Sequence, residues 1–168
     1  MNLFILRHAI AMERGVEFQG ADADRPLSPK GRKKMVKIAR AMKALELSFD
    51  LILSSPFTRA RETAELAARE LSLESVLEYS SHLESGGDPA KLVADLSARV
   101  PAPENILLVG HEPQLSHLIS VLLSGEGSME IAFKKGGLCK LEVATLRFAR
   151  CAALHWLLTP NQLASLAD

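Results

Sequence analysis

A three-layer α/β/α sandwich, with a mainly parallel sheet and an antiparallel hairpin at its C-terminal edge, is the architecture this sequence predicts. Three observations predict it. Short apolar runs, unbroken enough to be strands buried on both faces, recur along the first two thirds of the chain. Between them stand helix-start signals, a capping side chain followed by proline. The tail changes period, with apolar residues alternating with polar ones. Strands alternating with helices imply a parallel sheet covered on both sides.

In chain order, Leu3-Phe4-Ile5-Leu6 is the first buried strand. A polar, irregular stretch follows over residues 12–27. Ser28-Pro29 then opens a helix whose apolar stripe is Met35, Ile38, Ala39, Met42 and Leu45. Leu51-Ile52-Leu53 is the second strand, and Ser55-Pro56 reads as the start of a helix running to Leu71. Val76-Leu77-Glu78-Tyr79 is the third strand. Asp88-Pro89 opens a helix through Arg99, and Ile106-Leu107-Leu108-Val109 is the fourth strand. Pro113 opens a last helix that stops before Gly125. Cys139, Leu141 and Val143 alternate with Lys140 and Glu142 as a half-exposed strand. Residues 152–158 return beside it, which makes the edge hairpin. No internal repeat or linker divides the chain, so one domain is expected over residues 1–168.

Bulk properties narrow the function. Apolar residues make up 48% of 168, enough for a packed core. Twenty Lys and Arg balance twenty Asp and Glu, so no net charge draws the chain to nucleic acid or to an anionic membrane. Any anion must be held by a local cluster. The opening apolar run is too short for a signal sequence, and nothing approaches the roughly 20 apolar residues of a membrane span. A cytoplasmic protein is expected. Cys139 and Cys151 fall near opposite ends of the hairpin, too far apart to bridge, and read as reduced thiols.

Ligands of such sheets bind at the carboxyl ends of the strands. Arg7-His8 follows the first strand, Ser54-Ser55-Pro56-Phe57-Thr58-Arg59 the second, and Gly110-His111-Glu112-Pro113 the fourth. Each of these residues alone is unremarkable: a lone histidine is most often a hydrogen-bonded core or surface residue. Together they deliver two histidines and two arginines to one edge of one sheet. The set fits an anion. Arginine forks match phosphate oxygens and stay charged. A neutral imidazole beside them can attack phosphorus and form a covalent phosphohistidine. A second histidine can donate to oxygens where charge develops. Zinc is disfavoured, because no third ligand has the required spacing to the two histidines. No metal or cofactor is expected.

The motif Leu6-Arg7-His8, then Ser54-Ser55-Pro56-x-x-Arg59-Ala60-x-x-Thr63-Ala64, then Gly110-His111, resembles the signature of the histidine phosphatase superfamily, which includes phosphoglycerate mutases and acid phosphatases. The resemblance implies a phosphoglycerate mutase-like fold, with His8 as nucleophile and Arg7, Arg59 and His111 as the phosphate pocket. Within the superfamily the chain is most similar to the SixA-type phosphohistidine phosphatase group. Its shortness, Arg25-Pro26-Leu27-Ser28 with Gly31, Leu83 followed by Gly87-Asp88, and Ala9 after the histidine carry that likeness. It implies that Arg25 lines the site and that the substrate is a phosphohistidine-bearing signalling protein. Glu84 falls near where a general acid would enter, but its spacing does not match the family's carboxylate. A phosphoramidate substrate fits that departure, since an imidazole leaving group carries its own proton, whereas an alkoxide needs an acid. Two alternatives stay open: a small-molecule phosphomonoesterase of the same superfamily, and a catalytically idle phosphate-binding domain.

Overall fold

The computed structural model describes residues 1–167. Among them, six strands form one sheet: β1 (Asn2–Arg7), β2 (Leu51–Ser54), β3 (Leu77–Tyr79), β4 (Asn105–Gly110), β5 (Leu138–Val143) and β6 (Ala152–Leu158). The spatial order is β3-β2-β4-β1-β5-β6. The pairs β1–β4, β2–β4 and β2–β3 are parallel, and β1–β5 and β5–β6 are antiparallel. The expected mainly parallel sheet with an antiparallel hairpin at one edge is therefore what the chain forms.

Helices cover both faces: α1 (Pro29–Ala44), α2 (Thr58–Leu71), α3 (Pro89–Ser97), α4 (Gln114–Ser124) and α5 (Pro160–Ser165). The period-two geometry of a strand decides which residues meet which helices. Phe4 and Leu6 of β1 pack with Ile38 and Met42 of α1, Ala64 of α2 and Leu163 of α5 in one cluster. Leu3 and Ile5 point the other way and join Leu92 and Leu96 of α3 and Leu115, Leu118 and Leu122 of α4. Burying one Leu or Ile side chain contributes about 1.5–3 kcal/mol, so the two clusters dominate the fold's stability.

Two helix starts behave as expected. The Ser28 hydroxyl accepts from the Gly31 N–H, and the Asp88 carboxylate accepts from Ala90 and Lys91. Two need correction. Helix α2 begins at Thr58 with Phe57 as its cap, so Ser55-Pro56 is a turn before it. The Ser55 hydroxyl accepts from the Phe57 N–H instead, a local turn that competes with capping. Helix α4 begins at Gln114, and Pro113 is its cap residue rather than its first turn. Leu45 falls just beyond α1 and is exposed. Helix α5 was not anticipated: six residues are too few for a periodic signal. Its start is nonetheless written in Thr159-Pro160-Asn161-Gln162, where Thr159 and Gln162 cap each other reciprocally. No helix among the described residues is long and apolar enough to cross a membrane.

Candidate active site

Parallel register brings the expected segments together. Arg7 pairs with Gly110, and Ser54 with Val109, so β1, β4 and β2 end side by side. The His8 N–H donates to the Gly110 carbonyl at 3.0 Å and the Ser55 N–H to Val109 at 2.9 Å. Both histidines thus sit on the rigid end of the sheet rather than on free loops.

Burial there is severe for polar residues: His8 is 5% exposed, His111 1% and Arg59 3%. The two imidazole centroids lie 5.0 Å apart. His8 Nδ1 is 2.7 Å from the Ala9 carbonyl oxygen. A carbonyl only accepts, so Nδ1 carries the hydrogen and Nε2 keeps its lone pair. The next residue is fixed in turn, since the Ala9 N–H donates to Thr63 Oγ1 at 3.0 Å, and Thr63 donates to the Arg59 carbonyl at 2.7 Å. Gly31 lets α1 approach this segment, because a Cβ there would collide with the Ile10 carbonyl. His111 Nε2 lies 2.9 Å from Ser55 Oγ, and the Phe57 ring centroid is 5.4 Å from the His111 ring.

Arg7 donates from Nη1 to the Phe133 carbonyl at 2.6 Å. Arg59 donates from Nη1 to the Asp22 carbonyl at 2.7 Å, and its Nη2 pairs with Asp22 Oδ2 at 3.0 Å. Arg25 Nε meets the other carboxylate oxygen of Asp22 at 3.0 Å, and its Nη1 donates to the Met12 carbonyl at 3.0 Å. Asp22 therefore ties Arg25 to Arg59. Partial burial pushes the Asp22 carboxyl up, but the two guanidinium charges and their hydrogen bonds outweigh it and hold it below the usual carboxylate range.

Three of the four buried side-chain polar atoms that lack a hydrogen-bond partner among the described residues are here: Arg7 Nε, Arg59 Nε and His111 Nδ1. Unsatisfied buried donors are destabilising by about 1–3 kcal/mol each, and clustering marks a place built to receive acceptor atoms. The same burial keeps the histidines neutral. His8 is held well below the ordinary imidazole range, first by desolvation and then by His111, Arg59 and Arg7, against the hydrogen bond to Ala9. His111 is pushed down to about 3, again by desolvation first and next by Arg59.

All four core residues of the expected site converge, and Arg25 joins them through Asp22. Glu84 closes the short turn Ser81–Leu83, and the Leu83 carbonyl lies against Gly110 at the end of β4. Its carboxylate makes no hydrogen bond or ion pair with any described residue, so nothing aims it at His8. Sequence reasoning missed Asp22, the Ser55 hydroxyl on His111, and the loop carrying Phe133. For Asp22 the available signal was an acid three residues before Arg25, which favours a local ion pair but says nothing of Arg59. Among the described residues there is no group of three or more His, Cys, Asp or Glu able to hold a metal ion.

Comparison with known proteins agrees with this geometry. The family profile "Histidine phosphatase superfamily (branch 1)" matches residues 3–81. Phosphohistidine phosphatase SixA of Escherichia coli is 30% identical over 127 residues, covering 75% of this chain and 76% of that protein. The structure of the protein histidine phosphatase SixA complexed with tungstate superposes with a TM-score of 0.83 at 26% identity, covering 97% of this chain and 99% of the other. A phosphoserine phosphatase from Entamoeba histolytica, crystallised with phosphoserine, shares the fold, with a TM-score of 0.72 at 17% identity over 96% of this chain and 98% of its own. With this sheet, this set of strand-end residues and these relatives, the chain belongs to the histidine phosphatase superfamily and is a homologue of the phosphatase SixA.

Proposed function

We propose that this chain is a phosphohistidine phosphatase that acts on a phosphohistidine-bearing signalling protein in the cytoplasm through a covalent phospho-His8 intermediate. One observation carries the reading: a buried, neutral His8 has Nδ1 tied to a carbonyl and Nε2 free, beside arginines with unpartnered donors. In the first displacement Nε2 attacks phosphorus, the bond from phosphorus to the substrate's imidazole nitrogen breaks with its electron pair passing to that nitrogen, and the imidazole leaves neutral because its other ring nitrogen already carries a hydrogen. In the second, water attacks phosphorus, the bond to His8 Nε2 breaks, and orthophosphate departs with the lone pair restored to Nε2. Arg7 and Arg59 hold the phosphoryl oxygens, with Arg25 reinforcing Arg59 through Asp22. His111 accepts a hydrogen bond at Nε2 from the Ser55 hydroxyl, which leaves Nδ1–H as a donor for charge developing in the transition state. No residue in this scheme needs a metal.

A second reading has one observation in its favour. Glu84 stands unpaired beside the end of β4, where it could serve as acid for an ester leaving group. The two readings separate on a single comparison, the turnover of wild type and Glu84→Gln on a phosphohistidine protein and on several phosphomonoesters. The phosphohistidine reading expects less than about a tenfold change on the phosphoramidate, because proton donation worth about 10²–10⁴ is not required there. Efficient ester hydrolysis that collapses in Glu84→Gln, with little phosphohistidine turnover in either protein, would establish the ester reading instead.

A further inference from the structure

The loop entering β5 returns to the site and wraps the Arg7-His8 peptide. The Phe133 carbonyl takes the Arg7 guanidinium, the Gly137 carbonyl accepts from the Arg7 N–H at 3.1 Å, and the Gly136 N–H lies 3.0 Å from the Arg7 carbonyl and 3.2 Å from that of His8. The Lys134 carbonyl closes the turn by accepting from the Gly137 N–H at 2.7 Å. Gly136 has φ +79°, a left-handed conformation that glycine adopts without strain. Lys135 is the residue this turn presents. It is exposed, and its ammonium makes no hydrogen bond or ion pair with any described residue. The hydrogen bonds of Gly136 and Gly137 to Arg7 and His8 hold this turn beside the arginine cluster, and partial burial, followed by the charges of Arg7, Arg25 and Arg59, lowers the pKa of Lys135.

A lysine repelled by three arginines and paired with nothing is a poor stabiliser of the fold, and it gains only when an anion arrives. The charges around the site make the same point. Arg7, Arg25, Arg59 and Lys135 face two carboxylates, Asp22 and Glu112, the second of which acts on Arg7. With both histidines neutral, two positive charges remain, as many as a phosphoryl dianion carries negative. Without Lys135 one would remain.

We propose that Lys135 is a fourth phosphoryl-binding cation, which reaches from the Lys134–Gly137 turn to the outer oxygens of the group held by Arg7, Arg59 and His111. This rests on reading the His8 pocket as a phosphoryl site, and it deepens that reading by adding a binding residue outside the family motif. A point charge on a flexible stem suits an outer oxygen, where no bidentate geometry is imposed. Lys135 binds phosphate in substrate, phosphoenzyme and product alike, so it acts on affinity more than on the chemical step.

The test is orthophosphate binding by titration calorimetry, alongside KM and kcat. Lys135→Ala is expected to weaken orthophosphate binding and raise KM by roughly 5–20-fold, the range of a partly exposed charge-assisted contact, with a smaller change in kcat. Lys135→Arg is expected to restore binding to within about twofold, and Lys134→Ala, one residue away in the same turn, to stay within about twofold of wild type. Unchanged orthophosphate affinity in Lys135→Ala would overturn the proposal, as would equal losses in Lys134→Ala, which would mean diffuse surface charge. An enzyme that hydrolyses only esters but still needs Lys135 for orthophosphate would refute the substrate assignment and leave this proposal standing. A wild-type protein that binds no orthophosphate would refute both.

Discussion

The two ends of the sheet are built from similar residues and arranged to opposite effect. At the amino ends of β2 and β4, Asp50 Oδ2 accepts the N–H groups of Glu104 and Asn105 at 2.9 and 2.8 Å, and Arg99 forks onto Glu78 at 2.7 and 3.2 Å. These side chains line a cavity of about 450 Å³, yet Asp50 and Glu78 are exposed, Arg99 is half-buried, and their hydrogen bonds are met. At the carboxyl ends the polar side chains are buried, and three nitrogens have no partner. Paired charges are common to both ends, Arg99 with Glu78 at one and Arg59 with Asp22 at the other. What distinguishes the candidate active site is polar atoms taken out of water and left unsatisfied, which a fold retains only where something else supplies the missing partner.

The largest effect expected from that contrast is at His8. His8→Ala should lower turnover by at least about 10⁴, the scale seen when a covalent nucleophile is removed, while the protein remains folded by circular dichroism. A variant within tenfold of wild type would mean that this end of the sheet is not where the chemistry occurs. Next come the arginines. Arg59→Lys should lower kcat/KM by about 10²–10³, because a single ammonium cannot reproduce the planar fork that holds Asp22 with both Nη atoms and leaves Nε for phosphate. Near-normal kinetics in Arg59→Lys would show that the orphaned Arg59 Nε is incidental.

A pH effect sharpens the comparison without touching catalysis. Keeping a buried imidazole neutral becomes costly once pH falls below the ordinary histidine value of about 6.5, since the unfolded chain then binds protons that the native state refuses. Stability should therefore decrease from pH 6.5 downwards, through the window that ends near 3 for His111. The urea midpoint should fall between pH 6.5 and 4.5, and fall less in His111→Gln. Equal slopes in the two proteins would place the sensitivity elsewhere. The smallest effect belongs to the opposite end. Arg99→Ala removes an exposed pair worth at most about 1 kcal/mol and should leave turnover within twofold. A large loss of activity there would erase the distinction between the two ends.

The residues also show how much of this was readable beforehand. Arg7, His8 and His111 were legible because they lie directly after apolar runs, and Arg59 because it opens the helix after another; a parallel sheet places such residues together by topology alone. Ser28 and Asp88 cap their helices as the local sequence dictates, since capping is a contact across three residues. Ser55 was misread for the same reason: its local pattern matches a cap, but the hydroxyl is taken by His111, 56 positions away. Asp22 and Lys135 come from irregular segments whose path no periodicity records, so only the folded chain shows Asp22 at Arg59 and the Lys135 turn at Arg7. Glu84, placed by analogy of position, has a location beside β4 but no partner that defines its role.

The most direct test of the account is to trap phosphate on the enzyme. Wild-type protein mixed rapidly with a radiolabelled phosphohistidine protein and quenched in denaturant should retain label on the peptide containing His8. That label should be lost in acid and survive alkali, as a phosphoramidate does, and it should be missing from His8→Ala. Label that survives acid, or that persists in His8→Ala, would contradict a phospho-His8 intermediate.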